Sequence, residues 1–452
     1  MSYTVKSNFG NFFNKLLDLR FFVIIIIIVL FVDMEISNVA HLYYNDISTD
    51  IGTATFILIS FIYLIAQQYV LSYSSKEPFQ IKLESSFFRR LQRLISFMIF
   101  SIVICFLTII FEILISEYYD SFLLLLVLVL TNSISIIAMS IMATKFFSWY
   151  QMRKEQTILI YGSMYCIVAI TAFVTVLFMG LLLLHQPEKI DRDYVVVLPI
   201  IEQGSTISLL NYLYYYLAMA SYVITWVITG LLLKDYIKKV GKAKYWIILS
   251  LPLVFYLSQL LVTQFGLFIP RDASDNSTFQ TWFLFFYTPS SLIGGILFSV
   301  PFFLIIRKSN TSKPLSNFLR ITAYGLILFF AAGSATVYHT PYPPFGLLTV
   351  SAIGPSSFLM ALGIYYSARI ISRNRTIESQ LKRSDKYSQF FANIGSAEME
   401  NAVSEIVDEI RKKLPQDEGV SPHELQLVDN EIIEYLKKYQ SGKRSKKQLD
   451  GN

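Results

Sequence analysis

The chain has 452 residues, of which 54% are hydrophobic and only 15% charged; soluble domains carry roughly 25% charged residues. With a mean hydropathy of +0.51, this composition argues against a soluble protein. The net charge of +6 does not by itself imply a nucleic-acid partner, because in so apolar a chain the placement of charge matters more than its sum.

The apolar residues come in runs, beginning with Phe21–Val32 (FFVIIIIIVLFV). About 20 apolar residues in a helix cross the hydrocarbon core, and lipid-exposed backbone must be satisfied within its own segment. The runs predict about ten transmembrane helices, at 16–32, 51–74, 94–116, 121–145, 157–185, 207–233, 245–268, 281–306, 317–339 and 346–370. Lysine and arginine concentrate in alternate connections, and Lys234, Lys238, Lys239, Lys242 and Lys244 crowd one of them. The positive-inside rule then places the N-terminus in the cytoplasm of a cell-membrane protein, and an even number of crossings returns the C-terminus there. Lys6, Lys15 and Arg20 before the first run also resemble the basic start of a signal peptide. The flank Ser37–Ala40 lacks a small-residue cleavage pattern, which favours an uncleaved anchor. Of the outer loops, 34–50 carries Glu35, and 186–206 carries the apolar stretch Val195–Ile200, expected as a short strand or interfacial patch. Asn276-Ser277-Thr278 is a glycosylation sequon on the expected outer side.

Apart from Asp18 at the start of the first span, Glu112 is the one carboxylate inside these spans. Such residues can relay protons or bind ions, although Glu112 stands about one turn from the helix end, where an interfacial role suffices. Polar groups cluster at Gln67 and Gln68, at Thr131, Asn132, Ser133 and Ser135, and at Ser258, Gln259, Thr263 and Gln264. They suit hydrogen bonds between helices, and Gln259 with Thr263 could line a polar cavity. The eighth span contains Pro289, Ser290, Gly294, Gly295 and Pro301, and the tenth repeats a Pro-Ser-Ser that includes Ser356. Broken helices at corresponding places point to transporter sites. Tyr212, Tyr214, Tyr215 and Tyr216 read as an aromatic belt. His41, His185 and His339 lie in separate outer loops without metal-ligand spacing. Cys105 and Cys166 read as packing residues. No catalytic motif, metal site or cofactor loop is present.

After residue 370 the composition turns charged. The chain divides into a transmembrane bundle (1–370), a cytoplasmic helical tail (371–442) and a disordered basic end (443–452). The tenth helix is expected to continue into the tail, with Gly395 as a candidate interruption. Val403, Ile406 and Ile410 then form one apolar face. Ser421-Pro422-His423-Glu424 is a helix start with a capping box, and Leu425, Val428 and Ile432 give that second helix its own face. The whole is all-α, a polytopic bundle with a C-terminal helical hairpin. The hairpin's contact face suits a cytoplasmic protein partner or a second copy of the chain, and the bundle's partner is the lipid bilayer.

Asp385–Met399 reads DKYSQFFANIGSAEM. This stretch resembles the start of the dimerisation helix of sensor histidine kinases, with Ala397 where the phosphoacceptor histidine would stand. The resemblance implies a signalling module without a kinase. The arrangement as a whole resembles uncharacterised archaeal polytopic membrane proteins. The leading expectation is a membrane sensor acting through its tail; the alternatives are a small-solute or ion transporter and an accessory subunit of a membrane complex.

Overall fold

Long apolar runs in this chain become helices that expose hydrophobic side chains outward. Phe97, Phe111 and Leu114 are each more than 60% exposed, an arrangement that suits lipid and not water. The computed structural model describes residues 19–40, 49–76, 86–184, 186–192, 205–265, 285, 289–308, 312–333 and 342–413.

In chain order the helices are α1 (Leu19–Ala40), α2 (Thr49–Lys76) and α3 (Ser86–Ser116), then, after a short strand β1 (Tyr118–Asp120), α4 (Ser121–Arg153) and α5 (Gln156–Leu183). Strand β2 (Lys189–Asp191) precedes α6 (Thr206–Leu233). A 3-10 turn at Lys234–Tyr236 and the short α7 (Ile237–Val240) lead to α8 (Lys242–Phe265). The chain continues with α9 (Pro289–Lys308), α10 (Lys313–Ala332), α11 (Leu347–Ser351), α12 (Ile353–Arg373), α13 (Arg375–Lys382) and α14 (Lys386–Lys413). Among the described residues the protein is all-α apart from β1 and β2, which pair antiparallel with Tyr119 opposite Ile190. That strand lies at Lys189–Asp191; the Val195–Ile200 stretch lies outside the described residues.

Among the described residues, eight helical segments are long and apolar enough to cross a membrane. This is the build of a multi-pass membrane protein. Two of the ten expected spans are not among the eight. One is α1, which carries Arg20, Asp33 and Glu35; the other is α8, whose side chains are described only through Ser258.

Three expectations change. The first helix does not stop at residue 32 but runs through Asp33 and Glu35 to Ala40, so Glu112 is not the one carboxylate within the long helices. The tenth helix does not run on into the tail. It ends at Arg373, where Asn374 adopts φ −130°, ψ 95° and caps α13 through its side-chain oxygen. Gly395 does not interrupt the tail helix; it lies inside α14, where a Cβ would meet Ile371 of α12.

Helix α14 folds back across one end of the bundle, called here the tail end; the β1–β2 pair marks the hairpin end. The Lys234–Lys244 cluster also falls at the tail end. Tyr387, Ala392, Ile394 and Ala397 are fully buried in the same core as the membrane helices. Val403 is buried. The side chains of Ile406 and Ile410, and all of Leu425, Val428 and Ile432 with the second hairpin helix and the basic end, lie outside the described residues. So do the sequon and all three outer histidines.

Helices α10 and α12 approach closely because glycine faces each of them. A Cβ on Gly325 would sit 2.7 Å from the Met360 nitrogen, and one on Gly363 2.7 Å from the Phe318 carbonyl oxygen. Small residues allow such backbone proximity, which drives helix association in lipid.

Candidate functional site

A cavity of about 80 Å³ lies between α4, α5, α6, α8, α9, α10 and the α11–α12 break. Its walls include Asn132 and Ser135 of α4, Thr171 and Thr175 of α5, Tyr222 of α6 and Tyr256 of α8. None of the described lining residues is charged. Several of the polar groups are already engaged. The Thr171 and Thr175 hydroxyls donate to carbonyls one turn back, each at 2.8 Å. Ser291 of α9 donates to the Phe330 carbonyl at 2.7 Å, and Asn132 Nδ2 donates to the Leu128 carbonyl at 2.9 Å. Tyr222 and Tyr256 stack at 4.0 Å with 7° between their planes, and the Tyr222 hydroxyl donates to the Pro252 carbonyl at 3.2 Å. A proline removes the nitrogen donor that would bond a carbonyl one turn earlier; here Tyr222 satisfies the carbonyl of the proline itself. Gly294 makes room for this ring, since a Cβ there would collide with the Tyr222 hydroxyl.

The α11–α12 break closes one side of the cavity. Thr131 donates to the Ser351 carbonyl at 3.1 Å and accepts from the Gly354 amide at 2.8 Å, holding α4 against the broken backbone. Ser135 and Ser357 share a hydroxyl hydrogen bond of 2.9 Å. Below them Asp33, with no exposed surface, accepts from the amides of Gly346 and Thr349, both at 2.9 Å, and from the Thr349 hydroxyl at 2.8 Å. All three neighbours are donors, which suits an acceptor-only carboxylate. It ties α1 to the start of α11.

At the tail end, α14 is held by polar pairs over an aromatic floor. Trp149 of α4 donates its indole N–H to Glu398 at 2.9 Å, Ser148 donates to Asn401 at 2.8 Å, and Arg153 pairs with Glu400 at 2.9 Å. Asn393 donates to Glu155 at 2.6 Å, and Phe390 stacks on Tyr161 at 4.8 Å. Burial pushes the Glu398 carboxyl above the ordinary glutamate range, against the opposing influences of Lys145 and the Trp149 hydrogen bond. Burial acts upward on Glu378 of α13 too, but the Lys382 ammonium at 2.6 Å and the Ser396 hydroxyl at 2.5 Å hold it below that range.

No family model matches the chain, and no curated protein or solved structure shows significant similarity to it.

The residues singled out in the sequence divide into groups. Asn132 and Ser135 line the cavity. Tyr214, expected in an aromatic belt, is buried and lines it too, whereas Tyr212 and Tyr216 are exposed as a belt requires. Glu112 is partly buried and accepts from the Asp120 amide at 3.0 Å, bracing the β1 turn. Ser356 donates to the Ala352 carbonyl at 2.7 Å, and Ser290 is buried. Pro289 opens α9, where a proline needs no hydrogen-bond partner. Gln259, Thr263 and Gln264 fall within α8, but their side chains lie outside the description. Cys105 is a buried free thiol and Cys166 a half-buried one. Among the described residues no group of His, Cys, Asp and Glu is arranged to hold a metal ion. Asp33, Tyr222 and the Trp149–Glu398 pair were not singled out as site residues. Only Gly294, beside Tyr222, left a trace in the sequence, as half of a glycine pair.

Proposed function

We propose that the chain is a membrane sensor in which occupancy of the internal cavity alters the seating of tail helix α14. One observation carries this reading: α4 and α12 reach both places. Helix α4 presents Asn132 and Ser135 to the cavity and Trp149 and Arg153 to α14. Helix α12 presents Ile353 to the cavity, and its Ile371 packs on Gly395. Ser135 and Trp149 are separated by about 21 Å of rigid helix at 1.5 Å per residue. A ligand for this cavity is small and uncharged, since the lining offers amide, hydroxyl and aromatic groups and the volume falls below the roughly 300 Å³ of common ligand pockets. The lysine-rich connections favour a cytoplasmic tail end, where an altered α14 would meet a protein partner or a second copy of the chain.

Filling the cavity tests the reading. Ala172→Phe places a ring where Ala172 now borders the space. Hydrogen exchange of residues 386–413 in nanodiscs is expected to change by at least several-fold. Unchanged exchange in a folded variant rules out coupling between the two places.

A transporter is the second reading, favoured because Tyr256 of α8, Ser291 of α9 and Ile353 of α12 meet at the same cavity. Solute uptake into proteoliposomes that is blocked by Ala172→Phe would establish it.

A further inference from the structure

Helices α2 and α3 follow one another in the chain yet splay apart, leaving a groove of about 950 Å³ between them. This is the upper end of the roughly 300–1,000 Å³ range of small-molecule sites. Its floor is Phe358 of α12, and one flank is Phe22 of α1, stacked on Tyr69 at 4.0 Å.

The walls change character along the groove. Toward the hairpin end they are apolar, with Phe61, Ile65, Val103 and Leu107. Toward the tail end they carry Gln68, Ser72, Gln92 and Ser96. Neither Gln68, Gln92 nor Ser96 has a hydrogen-bond partner among the described residues. Polar groups at membrane depth call for partners, and a groove that opens between spans is filled from the bilayer. From Gln92 to Leu107, α3 rises about 22 Å, enough to traverse one leaflet of a hydrocarbon core about 30 Å thick.

Charge identifies the head of the occupant. Arg90 and Arg93 are exposed at the polar end of α3, beside Gln92 but outside the walls of the groove. No Asp or Glu occurs in α2 after Asp50 or in α3 before Glu112; Glu77, Lys82 and Glu84 belong to the connection between the two helices.

We infer that the α2–α3 groove is a binding site for one anionic two-chain phospholipid. An acyl chain lies along Phe61, Ile65, Val103 and Leu107; the ester region meets Gln68, Gln92 and Ser96; and the phosphate emerges at the end of the groove near which Arg90 and Arg93 supply positive charge. The site is separate from the internal cavity and does not depend on the sensor reading.

The test is native mass spectrometry of the full chain released from nanodiscs of equimolar phosphatidylglycerol and phosphatidylcholine. One retained phosphatidylglycerol per chain is expected. Each arginine near a membrane surface contributes roughly a fivefold preference for an anionic lipid, so Arg90→Gln with Arg93→Gln should lower the phosphatidylglycerol preference about thirtyfold or abolish it. Both arginines are exposed, so this pair leaves the packing intact, which an unchanged thermal midpoint verifies. Ser96→Trp fills the groove and should remove the lipid altogether. Equal retention of the two lipids by the unaltered chain, retention unaffected by the arginine pair, or a dimer in place of a lipid-bound monomer would each overturn the proposal.

Discussion

Replacing Asp33 by alanine should release α11 from α1 while leaving the helices themselves intact. Asp33 accepts from two backbone amides and one hydroxyl, and its substitution leaves the Gly346 and Thr349 N–H groups buried without that acceptor. An orphaned buried donor costs about 1–3 kcal/mol, so the two together cost about 2–6 kcal/mol. The Thr349 hydroxyl retains the Leu30 carbonyl at 3.1 Å as an alternative acceptor, so it adds no third penalty to that range. A local opening cheaper by about 3 kcal/mol raises amide exchange roughly a hundredfold, because each 1.4 kcal/mol is a factor of ten. Hydrogen exchange of a peptide covering residues 345–352 in nanodiscs measures it directly. Asp33→Asn should fall between the two, since its amide offers one acceptor oxygen but turns a donor toward donors. Exchange in Asp33→Ala within threefold of the unaltered chain would refute the assignment of Asp33 as the anchor of α11.

The remaining expectations concern helix packing and the seating of α14. Gly363→Ala should destabilise the bundle by about 1–3 kcal/mol through overpacking, because its Cβ meets the Phe318 carbonyl and Thr322 nitrogen of α10 at 2.7 Å each. Gly180→Ala, whose Cβ meets only Leu125 at 3.7 Å, should be neutral or stabilising in the same denaturant titration. Trp149→Phe should loosen α14 more than Arg153→Gln does: the first removes a buried hydrogen bond to a carboxylate, worth about 1.5–3 kcal/mol, and the second a partly exposed ion pair worth about 0–1 kcal/mol. Exchange rates in residues 386–405 rank the two. The acid-side pH dependence of α14 docking has two limbs. Glu378 is held below its ordinary value of 4.5, so its contribution is present above that value and fades as pH falls through the depressed one. Glu398 is raised above 4.5, so its contribution is greatest below that value and declines as pH rises through the elevated one. Glu155, which accepts from Asn393 of α14, is also raised by burial and shares the upper limb; Glu398→Gln should weaken that limb and slow α14 exchange at neutral pH, and an unchanged profile in that variant would exclude Glu398 as a source.

The membrane character of the chain was legible in single residues and their runs. Twelve successive apolar residues from Phe21 have one stable fate in lipid, a helix, because the backbone must satisfy itself. Most span positions follow from that local requirement. The end of α1 did not, because hydropathy stops at the first charged residue while the helix does not. Asp33 stays helical and buried only because Gly346 and Thr349, more than three hundred positions away, supply its donors.

The cavity and the tail illustrate the same division. Asn132, Ser135 and Gly294 each carry a local signal of polarity or small size, and the sequence flags them. Tyr222 does not, since a tyrosine in a tyrosine-rich helix reads as an interfacial ring until α8 and α9 close around it. The amphipathic pattern of the tail puts Val403 on an apolar face, and Val403 is buried in α14. Periodicity shows that such a face exists but not what it meets. The aromatic rings at Tyr161 and Phe302 and the groups at Trp149 and Arg153 decided that α14 folds onto its own bundle. That choice depends on contacts between residues far apart in sequence, which only the packed helices bring together.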